Sequence, residues 1–527
     1  MLLSTNGPQK VSMVAYLKIY CLFFSFIHHQ NQQTNMSLFV KKPMADLMAE
    51  SGDSEKGLKR TLSSGSLVAL GIGAIIGAGL FVRTAAAAAQ NAGPSVTLGF
   101  IVAAIGCALA GLCYAELSSS IPISGSAYTY TYATMGEFMA WIIGWDLMLE
   151  YAVGAATVGI AWSEYLNNLL TNVLGWKAIP YEWCHSPFEH SIAGVHGIMN
   201  IPAFGIIALL SLLLIKGTKE SAFVNGIIVI TKVAIVVLII ILGWGFINGA
   251  NHTPYIPEAG TYTDHQGISH TYGGIMGILG AAGVVFFAFI GFDAVSTAAQ
   301  ETKNPKKSMP IGILGSLAIC TVLYILFAHV LTGLAPVEFF RTTGKEASVA
   351  QAIETFMPGY SWLGKLVTVA ILAGFSSVIL VMLLGQSRVF YSMSRDGLVP
   401  KIFSDVHPKF KTPYKANLIF LVVVGAFAAF VPGDIVGDMT SIGTLFAFML
   451  VCVAVIKLRK TDPNMPRAFK TPLVPIVPIL GIFVCGAMIL GLGWTNWLRL
   501  GGWLVIGVII YFVYSKNHSK LRNPDKG

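Results

Sequence analysis

Residues 71–79 read Gly71-Ile72-Gly73-Ala74-Ile75-Ile76-Gly77-Ala78-Gly79, four glycines within nine positions of an apolar run. Glycine inside a helix costs about 1 kcal/mol relative to alanine. A helix that only has to cross a bilayer gains nothing from four of them. The glycines therefore serve one of two ends. They make a smooth face for close helix packing, as small-residue patterns do in membranes, or they mark a break whose bare backbone groups hold a solute.

The surrounding composition supplies the setting. Of 527 residues, 55% are hydrophobic and only 11% charged, whereas soluble domains carry about 25% charged residues. The chain reads as an all-α, polytopic integral membrane protein. A spanning helix needs about 20 apolar residues, and that rule gives twelve spans, near 66–89, 94–117, 138–166, 201–216, 221–248, 274–300, 309–335, 361–393, 416–432, 437–457, 474–494 and 498–515. Residues 1–60 form a cytoplasmic N-terminal segment, 61–516 the membrane domain and 517–527 a cytoplasmic tail. The apolar run Ile19–Ile27 is too short to span and lacks a cleavage site, so we expect translation to start at Met36. N-terminal sequencing of the native protein checks this.

An even number of spans puts both termini on one side. With the termini inside, most Lys and Arg fall in cytoplasmic segments, and the outer ones hold only Lys177, Arg341, Lys345, Lys365 and Arg499. That bias sets the orientation and accounts for the basic pI without a nucleic-acid partner. The seven cysteines form no CxxC pair, so neither a disulfide framework nor a metal site is expected. No HExxH, GxSxG or P-loop occurs, which argues against an enzyme or an ATP-driven pump, and no cofactor or catalytic residue is assigned.

A second irregular span answers the first. It runs from Gly280 to Ser296 and sets Gly291 and Asp293 deep in an apolar stretch, Phe286-Phe287-Ala288-Phe289-Ile290-Gly291-Phe292-Asp293. Five spans separate the two breaks, so the second set of five enters the membrane from the opposite side. Interrupted helices at equivalent places of an inverted repeat point to a binding site at mid-membrane. A broken helix offers N–H groups to an anion and C=O groups to a cation. An amino acid matches both. The amides of Gly77, Ala78 and Gly79 suit its carboxylate, and the carbonyls of Ile75, Phe287 and Ile290 suit its ammonium. Ile76 and Ala288 complete the two breaks. Asp293 follows as a helix cap or as a contact to a substrate cation.

Gly73–Phe81 resembles the first-helix motif of the amino acid–polyamine–organocation superfamily, as do Tyr114-Ala115-Glu116-Leu117 and Ile121–Tyr128. Phe286–Asp293, with Gly385-Gln386-Ser387-Arg388 and Ser394-Arg395-Asp396-Gly397, is similar to bacterial permeases of the cationic amino acid transporter family. The resemblance runs from about residue 36 to the end. It implies the leucine-transporter-type fold, twelve helices with a five-plus-five inverted repeat and broken helices 1 and 6, and amino acid uptake by alternating access in a bacterial inner (plasma) membrane. Many relatives carry Thr at the place of Ala78, so only backbone contact carries over there. The family also implies Phe287 as a gate over the substrate.

Lys232 lies well inside the fifth span, where a charge is costly and marks function by default. In similar transporters a lysine at this place takes the position that sodium-coupled relatives give to Na⁺. The resemblance implies contact with first-helix carbonyls and with Ser376 and Ser377, and proton coupling through the amine. Asp146 and Glu150, with Tyr151 beside them, are read as a structural polar network or a water-facing surface rather than a catalytic carboxylate pair, Glu116 as an anchor, and Gln386 and Arg388 as cytoplasmic-gate or scaffold residues. Bulky residues around Ile379–Met382 would favour small substrates. The expected partners are an amino acid, a proton and membrane lipid. A small partner subunit, amino acid exchange and a non-transporting sensor stay open.

Overall fold

The computed structural model describes residues 38–47, 60–77, 79–189, 195–263, 269–343, 348–491 and 494–523. The expected start at Met36 and the backbone contact of Ala78 lie outside the described residues. Among them, eight helical runs are long and apolar enough to cross a membrane, and Ile201–Lys216, Tyr414–Phe430 and Ile476–Leu490 are shorter apolar helices. The first run, Ser64–Ser120, turns at Gly93, whose φ is +54°. The chain is a multi-pass membrane protein.

Each long helix sorts its faces. In Thr218–Gly243, Phe223, Ile227 and Ile230 are exposed, while Asn225, Val229, Lys232 and Val236 are buried. The exposed face is the one a lipid bilayer solvates, and the polar residues point inward.

The helix that opens the membrane domain starts at Ser64, with the Ser63 side chain accepting from the Ser66 amide at 3.2 Å. It stops at Ile75, because Ile76 turns to an extended conformation at φ −76°, ψ 105°. The chain resumes as a π-helical turn, Gly79–Arg83. The second interrupted helix runs over Gly274–Phe286 and tightens to a 3₁₀ turn at Phe287–Phe289. It breaks at Ile290–Gly291 and leaves the single turn Ala294–Thr297.

The two breaks touch. A Cβ on Gly79 would fall on the backbone of Ala288, and one on Gly291 would stand 2.8 Å from Cβ of Ala74. Gly291 also has φ +105°, which L side chains rarely adopt. Gly291→Ala is therefore expected to lose about 1–3 kcal/mol of stability. Thermal melting of the detergent-solubilised protein reads this, and an unchanged melting temperature contradicts it.

Two elements depart from the expectation of an all-α protein with simple loops. Gly260–Thr263 and Ser269–Tyr272 pair as an antiparallel hairpin. Its Tyr262 and Tyr272 hold the Arg341 guanidinium between their rings at 4.2 and 4.6 Å, and Arg341 Nε donates to the Ala89 carbonyl at 3.0 Å. The connection after Ser120 carries the buried helix Ala127–Thr134.

Both described ends of the chain reach one end of the bundle. Lys42 Nζ pairs with Asp396 at 2.5 Å, Tyr128 donates to the same carboxylate at 2.6 Å, and the Lys520 amide donates to the Asp396 carbonyl at 3.0 Å. Glu137 collects Tyr132, Tyr511, Ser519 and Arg522. Deeper in, Glu301 and Arg388 form an ion pair at 2.7 Å, each only 1% exposed. Glu116, read as an anchor, is gripped by Arg459 through two 2.8 Å bonds and by Arg467 at 3.1 Å.

Candidate substrate and coupling site

Breaking a helix strips carbonyls at the end of its first half of their usual donors, and buried carbonyls must find others. Here the chain supplies them. Lys232, fully buried, donates from Nζ to the Gly73 carbonyl at 2.8 Å and to the Ile76 carbonyl at 2.6 Å. The amine thus sits at the negative end of the half-helix Ser64–Ile75, where the macrodipole favours a cation.

Ser377 is 3.4 Å from the amine, and its hydroxyl lies 2.9 Å from the Gly73 carbonyl and 2.5 Å from Asn225 Oδ1. Ser376 is not brought to the amine. It accepts from Trp162 Nε1 at 3.1 Å and donates to the Leu372 carbonyl at 2.8 Å. Neighbouring residues on a helix point about 100° apart, so one of the two serines had to face away.

The Ile75 carbonyl, expected to take a substrate ammonium, is met by a protein donor. The Tyr324 hydroxyl lies 2.7 Å from it and 2.9 Å from the Ala288 carbonyl, and so stitches the two breaks together. The Phe287 carbonyl accepts from the Ile290 amide at 3.3 Å. Ile75, Ile76, Ala288, Ile290 and Asp293 are at most 2% exposed and Phe287 is 6% exposed. Gly77 and Gly79 are buried too. The protein closes over all of these positions.

Asp293 stands at the cap position of Ala294–Thr297, yet its side chain makes no capping bond there. It accepts from the Tyr151 hydroxyl at 2.5 Å. Glu150 lies among the Asp293 and Asp146 carboxyls and the Thr444 hydroxyl. Asp146, one turn before Glu150, is buried and without a donor. Of the three residues read as a polar network, Tyr151 bonds the second break, through Asp293.

Met382, in the stretch expected to shape the substrate pocket, is buried with its sulfur against Gly154. Three site neighbours escape a sequence reading: Asn225, Tyr324 and Arg83. Asn225 had a signal, since it precedes Lys232 by seven residues and so shares its face. The Arg83 guanidinium stands 5.3 Å from the centre of the Phe287 ring.

Buried interrupted helices holding a lone amine, with a capped bundle end, describe a solute carrier. The amino acid permease family profile matches residues 62–517. The chain is 45% identical to the branched-chain amino acid permease BcaP of Bacillus subtilis over 92% of this chain and 99% of that protein. It is 41% identical to the methylthioribose transporter of Bacillus subtilis over 92% and 99%. It is 38% identical to the chloroplastic cationic amino acid transporter 9 of Arabidopsis thaliana over 78% and 68%. The chain belongs to the amino acid permeases of the amino acid–polyamine–organocation superfamily. It is a membrane transporter of that family and not an enzyme.

Proposed function

We propose that this protein takes up an α-amino acid by alternating access and couples the uptake to protons through Lys232. The observation that carries the reading is the amine on the carbonyls of Gly73 and Ile76. A Lys can leave as neutral amine or stay as ammonium, and only the ammonium supplies a positive charge to the end of the half-helix. Protonation thereby sets how firmly Ser64–Ile75 is tied to Thr218–Gly243. A tie that forms and breaks with a proton is the kind of two-state element that alternating access needs.

The substrate carboxylate would meet the amides at Gly77–Gly79, where the helix resumes, and Phe287 would close over it. The Ile75 carbonyl is held by Tyr324, so the ammonium would turn to Ile290 and the Asp293–Glu150 group. Twelve crossings in a five-plus-five inverted repeat, with both termini in the cytoplasm of a cell whose inner membrane holds the protein, complete the proposal. The Bacillus subtilis relatives support that location.

Uptake of labelled leucine and arginine into proteoliposomes, with and without an inside-alkaline gradient, tests this. Saturable uptake raised by the gradient is expected. Saturable uptake indifferent to the gradient supports the exchanger reading instead, and binding without flux supports a sensor.

A further inference from the structure

The helices Gly154–Asn168 and Ile201–Lys216 pack together where Gly159 meets Ile207, whose Cδ1 would stand 3.1 Å from a Cβ at Gly159. Beyond that contact, towards Leu166 and Ile201, they leave an open groove of about 580 Å³. Small-molecule sites are of that size, about 300–1,000 Å³. Gly205 keeps the groove open, since a Cβ there would meet nothing within 4 Å. Hydrogen bonds fix the walls. Trp162, at the deeper end, donates from Nε1 to Ser376 at 3.1 Å. The Ile179 amide donates to Asn167 Oδ1 at 2.8 Å, which ties the connecting segment to the first helix. The Glu182 carbonyl accepts from the amides of Ile198 and Met199 at 2.8 and 3.1 Å, which holds Trp183 at the start of the second.

The groove is continuous with the face that the bilayer solvates, since Leu209 and Leu212 of the same helix are 63% and 53% exposed. Ile201 to Leu209 covers about 12 Å of helix axis, most of one leaflet's half of a hydrocarbon core about 30 Å thick. The lining is aliphatic and aromatic, and the Trp162 indole N–H is already engaged by Ser376, so the slot suits a hydrocarbon chain. Trp176 and Trp183 are exposed in the connecting segment, and so is Lys177, two residues before Ile179. Tryptophan and lysine at the end of a span are the residues that meet lipid headgroups, and a lysine ammonium is a point charge for phosphate. We propose that this groove is a phospholipid site, with one acyl chain lying over Gly205 along Ile201–Leu209 and Lys177 meeting the phosphate. The assignment goes beyond the transport reading and needs only that these helices cross a bilayer. Lipid tails are as apolar as the groove itself, so what holds the chain is close contact with the walls, and the charge holds the head.

Native mass spectrometry of the detergent-solubilised full chain, titrated with palmitoyl-oleoyl phosphatidylglycerol, tests this through the Kd of the first lipid bound. Gly205→Trp fills the groove and is expected to weaken that Kd about 10-fold, the worth of roughly ten close carbon contacts. Gly205→Leu, a smaller filler, is measured beside it and is expected to weaken binding in the same direction. Lys177→Gln should weaken the phospholipid about 3-fold and leave dioleoylglycerol, which has no phosphate, unchanged. If both Gly205 variants bind the first lipid as wild type does, lipid is held only as a general annulus and the assignment fails. It also fails if Lys177→Gln leaves the phospholipid unchanged, or weakens phospholipid and dioleoylglycerol alike. A wild-type dimer that Gly205→Trp dissociates would name a second copy of this chain as the occupant and overturn the lipid. Leucine uptake by the same proteins is scored separately, so the loss of this site leaves the transport reading standing.

Discussion

Lys232→Ala is expected to abolish the response of uptake to a pH gradient while exchange of amino acid across the membrane persists. The substitution removes the amine from the carbonyls of Gly73 and Ile76. Gly73 keeps the Ser377 hydroxyl at 2.9 Å, so the carbonyl left in want of a donor is that of Ile76. A buried acceptor without a partner costs about 1–3 kcal/mol, which the fold can bear in part through a bridging water in the space that the side chain vacates. The variant should thus reach the membrane with a lowered melting temperature. Uptake with and without an inside-alkaline gradient would then coincide. Lys232→Ala that still accumulates leucine in response to the gradient would sink proton coupling through this residue. Ser376→Ala should leave the gradient response intact, because Ser376 bonds Trp162 and the Leu372 carbonyl rather than the amine.

The second large effect concerns stability. Arg388→Met leaves Glu301 buried without its ion-pair partner, and removing one member of a buried pair costs about 3–5 kcal/mol. Glu301 also accepts from the amides of Thr61 and Leu62 through its backbone carbonyl, at 2.8 and 3.0 Å. A disturbance there is therefore passed directly to the start of the first interrupted helix. The double variant Glu301→Gln with Arg388→Met should recover much of the loss, since no uncompensated charge remains. Thermal melting of the four proteins of this cycle gives the coupling. Additive losses would mean that the pair contributes nothing as a pair.

Much of this architecture was legible in the sequence, for physical reasons. Glycine is costly in a helix, so Gly71–Gly79 and Gly291 advertised positions where the chain cannot stay helical or cannot carry a side chain. A lysine within an apolar span is costly too, so Lys232 declared itself. The choice between packing and binding at the glycines dissolved, however. Cβ atoms at Gly71, Gly73, Gly77 and Gly79 would each come within 3.0 Å of a neighbour, including Ser316, Asn225, Val378 and Ala288. The same glycines allow both the break and the close approach, so a Gly79→Ala loss would not by itself speak for binding.

The relations that were not legible join segments far apart in the chain. Nothing local to Tyr324 announces that its hydroxyl bridges Ile75 and Ala288. Glu150 and Asp293 are each visible as buried acids, but their meeting depends on how two helices pack. The paired strands Gly260–Thr263 and Ser269–Tyr272 are polar and short, and they meet the distant Arg341 guanidinium and Asn91.

The most direct test of the central claim is counterflow. Proteoliposomes loaded with unlabelled leucine and diluted into labelled leucine, with no ion gradient imposed, should show a transient, saturable overshoot of label. An alternating-access carrier with one occluded site predicts that overshoot and its loss when the internal leucine is omitted. Label entry that rises linearly with concentration, or binding with no entry at all, would contradict the account.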